Sequence, residues 1–148
     1  MLGKTSEFLL KQVLDTISES EIVVESHRQS LCRETAFSPY SAFCRLDRLA
    51  AERVSSHEMQ AFLNESGAVG VGLGDCAKLI RYFDGDSDGL LSYQDFLQMV
   101  LPCEDMRLRN EVQRRPYSRV GRFDALPYGL EQGLCNLLQT EIDLLQRV

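Results

Sequence analysis

The strongest chemical signal in the sequence is a twelve-residue stretch, residues 84–95, that contains four aspartates and no basic residue. Alternate residues of a tight loop project to one side, and Gly89 permits the sharp turn that such a loop needs. The carboxylates repel one another until a cation arrives, so a bound metal would contribute to the folding free energy. Hard oxygen ligands at this spacing suit Ca²⁺ or Mg²⁺. The predicted ligands are the carboxylates of Asp84, Asp86, Asp88 and Asp95, the backbone carbonyl of Leu90, and Ser92 acting through a water molecule.

Helical patterns flank this loop on both sides. Apolar residues at helical spacing precede it in LIRYF and follow it in FLQMV. DxDxDG, an apolar residue at loop position eight (Leu91) and an acid at position twelve together resemble the EF-hand superfamily of calmodulin-like proteins. The resemblance implies a helix–loop–helix calcium site. The alternative is an Asp/Gly-rich surface turn that binds no metal.

The last residue of the loop departs from the EF-hand pattern, because Asp95 stands where that pattern has glutamate. Aspartate is one methylene shorter, so its two oxygens reach a seven-coordinate calcium ion less easily. We therefore expect a low-affinity site, with a calcium dissociation constant of about 10⁻⁵ to 10⁻⁴ M, at which magnesium competes.

EF-hands normally occur in pairs that are joined by a short strand at loop position eight. Counting back 37 residues from Leu91 reaches Val54, which places a second loop at residues 47–58. The resemblance therefore implies that Val54 and Leu91 pair as a two-stranded bridge inside one four-helix domain. This EF-hand pair would cover residues 38–101.

The second loop keeps the ends of the motif and loses its middle. Asp47 and Glu58 occupy positions one and twelve, but Leu49 and Ala51 stand at ligand positions. Glu52 replaces the glycine. We interpret residues 47–58 as a degenerate hand that has kept its packing and lost its metal.

Long amphipathic helices are predicted on either side of this domain. Apolar residues recur every seven residues from Leu10 to Leu31, which predicts a helix over residues 4–34. Another is predicted over residues 127–148, and its sequence resembles the first after a shift of 120 positions, as in a weak internal repeat. The apolar face of the first helix either packs on the rest of the chain or forms a coiled coil or docking helix.

Residues 102–126 form an Arg-rich connector in this interpretation. Six arginines and one acid, Glu111, lie within sixteen residues, and Pro116 and Gly121 are expected to interrupt any helix there. The arginines are either solvated or paired with the acidic domain, or they contact an acidic partner such as a tubulin tail or a phospholipid headgroup.

Composition excludes several functional classes. A net charge of -6 and a pI near 4.9 disfavour nucleic acid as a partner. No apolar run is long enough for a membrane span, and the N-terminus has no signal-peptide pattern, which predicts a cytoplasmic protein. Five cysteines without a CxxC pair favour reduced thiols. No nucleophile motif or phosphate-binding loop accompanies the aspartates, so we do not expect an enzyme.

The flanking segments carry a narrower resemblance. FSPYSAFCRLD and FDALPYGLEQGLCNLLQTEI resemble segments of EF-hand proteins in ciliated and flagellated protists, where long helices connect successive pairs. This resemblance implies a regulatory or adaptor component of a cytoskeletal or ciliary assembly. Its partner would be a protein, either a helix or a filament, with an oligomer or array formed through the terminal helices. The alternative is a calcium-insensitive scaffold that uses the same elements for packing.

Overall fold

The computed structural model describes residues 21–116 and 126–147, which form seven helices and one two-stranded sheet. The predicted all-α class is confirmed, because the sheet comprises only two short strands. Residues 4–20 of the predicted 4–34 helix and residues 117–125 of the predicted connector lie outside the described residues. The helices are α1 (residues 21–33), α2 (Pro39–Leu46), α3 (Ser56–Glu65), α4 (Leu73–Phe83), α5 (Tyr93–Val100), α6 (Met106–Gln113) and α7 (Tyr128–Arg147), and the strands are β1 (Arg53–Val54) and β2 (Leu91–Ser92).

Four helices and the sheet form the centre of the molecule. Helix α2 contacts α3 and α5, and α4 contacts the same two helices. The strands are antiparallel, with Val54 opposite Leu91 and Arg53 opposite Ser92. Both apolar partners have 0% exposed surface. The pairing of Val54 with Leu91 that the resemblance implied is confirmed, and the sheet places the two predicted loops side by side.

The helices after the two loops begin in the same way. Ser55 and Ser92 each accept a hydrogen bond from the backbone amide three residues later and form a capping box with the acid at that position. Helix α3 ends just before Gly67, whose φ of +100° is the left-handed conformation that glycine adopts at low cost. Local sequence thus sets where these helices begin and where α3 ends.

The flanking helices pack on this centre. Leu31 of α1 and Leu134 of α7 are buried in the same core cluster as the central residues. Arg28 ties three elements together: its Nη2 donates to Glu141 Oε1 of α7 at 2.8 Å and its Nε to the carbonyl of Met99 at 2.9 Å. The described part of the first helix therefore buries its apolar face against the rest of the chain.

Glu141 is the most deeply buried carboxylate of the described residues, with 3% of its surface exposed. Its Oε2 atom has no hydrogen-bond partner among those residues. Desolvation by burial raises the pKa of Glu141 to about 7, although the nearby Arg28 guanidinium acts in the opposite direction.

The segment predicted as a connector contains a helix. Asp105 caps α6 by accepting a hydrogen bond from the amide of Leu108, and both Leu108 and Val112 are buried. The helix ends before Pro116, so that proline stops the segment without preventing helix formation ahead of it. Arg115 donates to the carbonyls of Glu34 and Phe37, so at least this arginine is tied to the core.

Burial distinguishes the methionines and cysteines of the core from those at the surface. Met59 and Met99 are fully buried and belong to the core. All five cysteines are free thiols; Cys32, Cys44, Cys76 and Cys135 are buried and Cys103 is exposed. Within the described ranges, no helix is long and apolar enough to cross a membrane.

Candidate metal centre

The loop at residues 84–95 follows α4, contains β2 and ends in the first turn of α5, and its own aspartates organise it. Asp84 accepts hydrogen bonds from the amides of Gly89 and Asp86, at 2.8 and 3.1 Å. Asp88 accepts one from the amide of Leu90 at 3.0 Å. These bonds wrap the backbone around the side chain at the first loop position. The sequence-predicted ligands from Asp84 to Leu90 are therefore held in one turn.

The far end of the loop closes onto the same turn. Asp95, in the first turn of α5, accepts hydrogen bonds from the amide of Gly85 at 3.3 Å and from the amide of Ser92 at 3.1 Å. The hydroxyl of Ser92 accepts from the amide of Asp95. The structure thus brings the last predicted ligand, Asp95, back to the beginning of the loop, and Ser92 is hydrogen-bonded to it.

The loop at residues 47–58 has the same backbone form. Positive φ angles occur at loop position four in both loops, +52° at Ala50 and +57° at Ser87. They also occur at position six in both loops, +62° at Glu52 and +75° at Gly89. A left-handed conformation is uncommon for a residue other than glycine, so its recurrence at Ala50, Glu52 and Ser87 marks a shared turn.

The acids of the degenerate loop bind backbone amides. Asp47 accepts from the amides of Ala51 and Glu52, at 3.0 and 2.8 Å. Glu58 accepts from the amides of Leu49 and Ser55, at 3.3 and 3.0 Å. Both carboxylates are buried. The acids at positions one and twelve of this loop are therefore hydrogen-bonded internally, and Leu49 and Ala51 at positions three and five offer no carboxylate.

One residue that contacts the aspartate loop was not predicted from the sequence. Arg53 of β1 places its Nη1 atom 3.2 Å from Asp86 Oδ2 and 3.0 Å from Asp88 Oδ2. The strand register could have predicted this contact. If Val54 faces Leu91, Arg53 lies opposite Ser92 and therefore beside the aspartate loop.

The first carboxylate of the loop is held in its charged form. Desolvation acts to raise the pKa of Asp84, but the hydrogen bonds from the backbone amides of Gly89 and Asp86 outweigh it and lower the pKa overall. A ligand for a divalent cation must be deprotonated, and Asp84 therefore keeps this charged form to lower pH than an ordinary aspartate does.

The types of ligand atom in the loop favour a metal site, but the side chains are not now arranged around a common point. The chemistry fits a hard divalent cation, since the predicted ligands are all oxygen atoms. As placed, however, no three histidine, cysteine or acidic side chains of residues 21–116 and 126–147 are grouped to hold an ion. Binding would therefore require the aspartates to turn toward a common point, and two of them are now engaged by Arg53.

Comparisons with protein-family models, with curated protein sequences and with solved structures give no match to this chain.

Proposed function

We propose that residues 38–101 are a pair of EF-hands, of which residues 84–95 bind calcium with low affinity and residues 47–58 bind no metal. The observation that carries this proposal is the shared form of the two loops: 37 positions apart, they have left-handed residues at the same two positions. A serine cap at position nine recurs as well. A turn formed only because of its Asp and Gly residues would not recur in a segment that has Leu49 and Ala51 in place of two of the aspartates.

The metal-binding residues in this proposal are those of one loop. Ca²⁺ is the expected ion, with Mg²⁺ as a competitor, because aspartate at position twelve reaches less far than glutamate. The ligands would be Asp84, Asp86, Asp88 and Asp95 through their carboxylates, Leu90 through its carbonyl and Ser92 through water.

The proposed role is that of a regulatory or adaptor protein. Metal binding would draw the aspartates together and change the relation between α4 and α5, the two helices that the loop joins. That change would alter the apolar surface offered to a protein partner, either a helix or a cytoskeletal filament. We propose a cytoplasmic, cytoskeletal or ciliary setting on the resemblance of the flanking segments alone, and no catalytic activity.

A calcium-insensitive scaffold is the second candidate, and the packing of the flanking helices favours it. Arg28 connects α1 to α7 and to the carbonyl of Met99 at the end of the loop-bearing helix α5. Arg45 of α2 bonds to Glu131 of α7 at 2.7 Å and to Glu65 of α3 at 2.8 Å. Such ties would resist a change in helix orientation.

Limited proteolysis separates the two candidates. Trypsin digestion and tyrosine fluorescence would be measured with calcium and with chelator, since Tyr82 precedes the loop and Tyr93 lies within it. The calcium-responsive role predicts different fragment patterns and emission in the two conditions, and no difference for Asp84→Ala. Asp143→Ala, which removes an exposed aspartate outside the loop, is expected to respond as the unaltered chain does. If the unaltered chain gives the same fragments and the same emission with calcium and with chelator, the calcium-responsive role is wrong and the scaffold role is favoured.

A further inference from the structure

A cation from the degenerate hand already lies against the proposed metal ligands. The Arg53 guanidinium approaches one oxygen of Asp86 at 3.2 Å and one of Asp88 at 3.0 Å through the same nitrogen, Nη1. These aspartates stand at positions three and five of the loop, between the acids that close it. A positive group thus bridges two of the four carboxylates.

The backbone fixes Arg53 in this place. Arg53 lies opposite Ser92 in the antiparallel pair, and its neighbour Val54 is locked in the core opposite Leu91. The side chain therefore starts from a rigid strand next to the loop. A residue in a flexible loop would lose more conformational entropy in reaching the same contact.

We propose that Arg53 is an internal competitor of the metal, so that binding at residues 84–95 displaces its guanidinium from Asp86 and Asp88. This inference rests on the proposed metal site. A divalent cation and a guanidinium cannot share the same carboxylate oxygens without repulsion, and the aspartates must leave Arg53 to converge on an ion.

The size of the effect follows from the exposure of the groups. The Arg53, Asp86 and Asp88 side chains are 40%, 59% and 32% exposed, so solvent screens both contacts. Exposed ion pairs of this kind each change an equilibrium by up to about fivefold, and we therefore expect removal of the guanidinium to tighten calcium binding roughly threefold to tenfold.

Calorimetry on three variants tests the proposal. Arg53→Gln removes the charge and keeps a side chain that fits the strand, and it should tighten calcium binding by the stated factor. Arg53→Lys keeps a positive charge and should stay closer to the unaltered chain. Arg33→Gln on α1, whose Nη2 donates to Gln29, removes one positive charge elsewhere and should change affinity by less than about twofold at physiological salt. Thermal unfolding without metal verifies that each variant is folded.

Nuclear magnetic resonance gives a second measurement that does not depend on affinity. Saturating calcium should shift the Nε–Hε resonance of Arg53, identified by its loss in Arg53→Gln, while that of Arg33 stays in place. An unshifted Arg53 signal on a calcium-loaded chain would overturn the displacement.

The outcomes distinguish this inference from the proposal on which it rests. If the unaltered chain binds calcium and Arg53→Gln binds it no more tightly, the competitor role fails and the calcium site stands. If only Arg53→Gln binds calcium, the competitor role is supported and the native site is overturned. If neither binds, both fail.

Discussion

Glu58 and Asp95 close their loops with the same pair of contacts. Each carboxylate accepts one hydrogen bond from an amide early in its loop and one from the amide of the serine that caps the following helix. The two acids differ by one methylene, and the early amide belongs to position three of one loop, Leu49, and to position two of the other, Gly85. The two loops therefore close onto the following helix in a similar way.

Replacing Leu91 by alanine tests the junction between the two units. Leu91 is fully buried opposite Val54, so Leu91→Ala should lower the free energy of unfolding by about 2–5 kcal/mol, measured by urea denaturation. Leu49→Ala is the control, because Leu49 is 72% exposed and its loss should change stability by no more than about 0.5 kcal/mol. Equal effects of the two changes would mean that the strand pair is not buried.

Gly89→Ala tests the left-handed turn of the aspartate loop without any metal. A Cβ at Gly89 would meet no atom within 4 Å, so the cost comes from the φ of +75° and should be about 1–2 kcal/mol of unfolding free energy. Gly74→Ala, in open space on α4, should instead leave stability unchanged or raise it by up to about 1 kcal/mol. If Gly89→Ala is as stable as the unaltered chain, residue 89 does not have the left-handed conformation described.

Sequence reasoning located the loops and their register but not the side-chain contacts between them. The EF-hand resemblance implied the pairing of Val54 with Leu91 once the second loop had been aligned 37 residues before the first. It could not show that Arg53 reaches across to Asp86, because that contact depends on side-chain direction in the folded pair. The helix over Met106–Gln113 was not predicted, because the arginines and Pro116 indicated an irregular connector. Its only apolar helical signal is the pair Leu108 and Val112, which the structure buries.

Lengthening the last acid of the loop should strengthen metal binding. Asp95→Glu adds the methylene that lets both carboxylate oxygens reach a calcium ion. A glutamate fits at this position, because Glu58 accepts from the amides of Leu49 and Ser55 in the loop at residues 47–58. We expect calcium to bind about tenfold more tightly and magnesium to compete less, as measured by titration of one ion in the presence of the other. Unchanged or weaker calcium binding would argue against a ligand role for residue 95.

Glu141 should make stability depend on pH. Its pKa is raised from 4.5 to about 7, so between these values the unfolded chain releases a proton that the folded chain keeps. The free energy of unfolding should therefore fall as pH rises through this window, with a slope of at most about 1.4 kcal/mol per pH unit from this group.

Denaturation of Glu141→Gln across the same pH range isolates that contribution. The amide cannot ionise and can still accept from Arg28, so the curve should be flatter than that of the unaltered chain. Asp143→Asn, which removes an exposed carboxylate of the same helix, should leave the slope as it is. A slope in Glu141→Gln equal to that of the unaltered chain would contradict the assignment.

Calcium titration calorimetry on the unaltered chain and on Asp84→Ala tests the central claim most directly, with Asp143→Ala as the charge-matched control. We predict one site with a dissociation constant of about 10⁻⁵ to 10⁻⁴ M, retained in Asp143→Ala and weakened at least tenfold in Asp84→Ala. Nanomolar binding would contradict the low affinity. Absence of calcium binding to the unaltered chain, or equal binding to Asp84→Ala, would contradict the metal site itself.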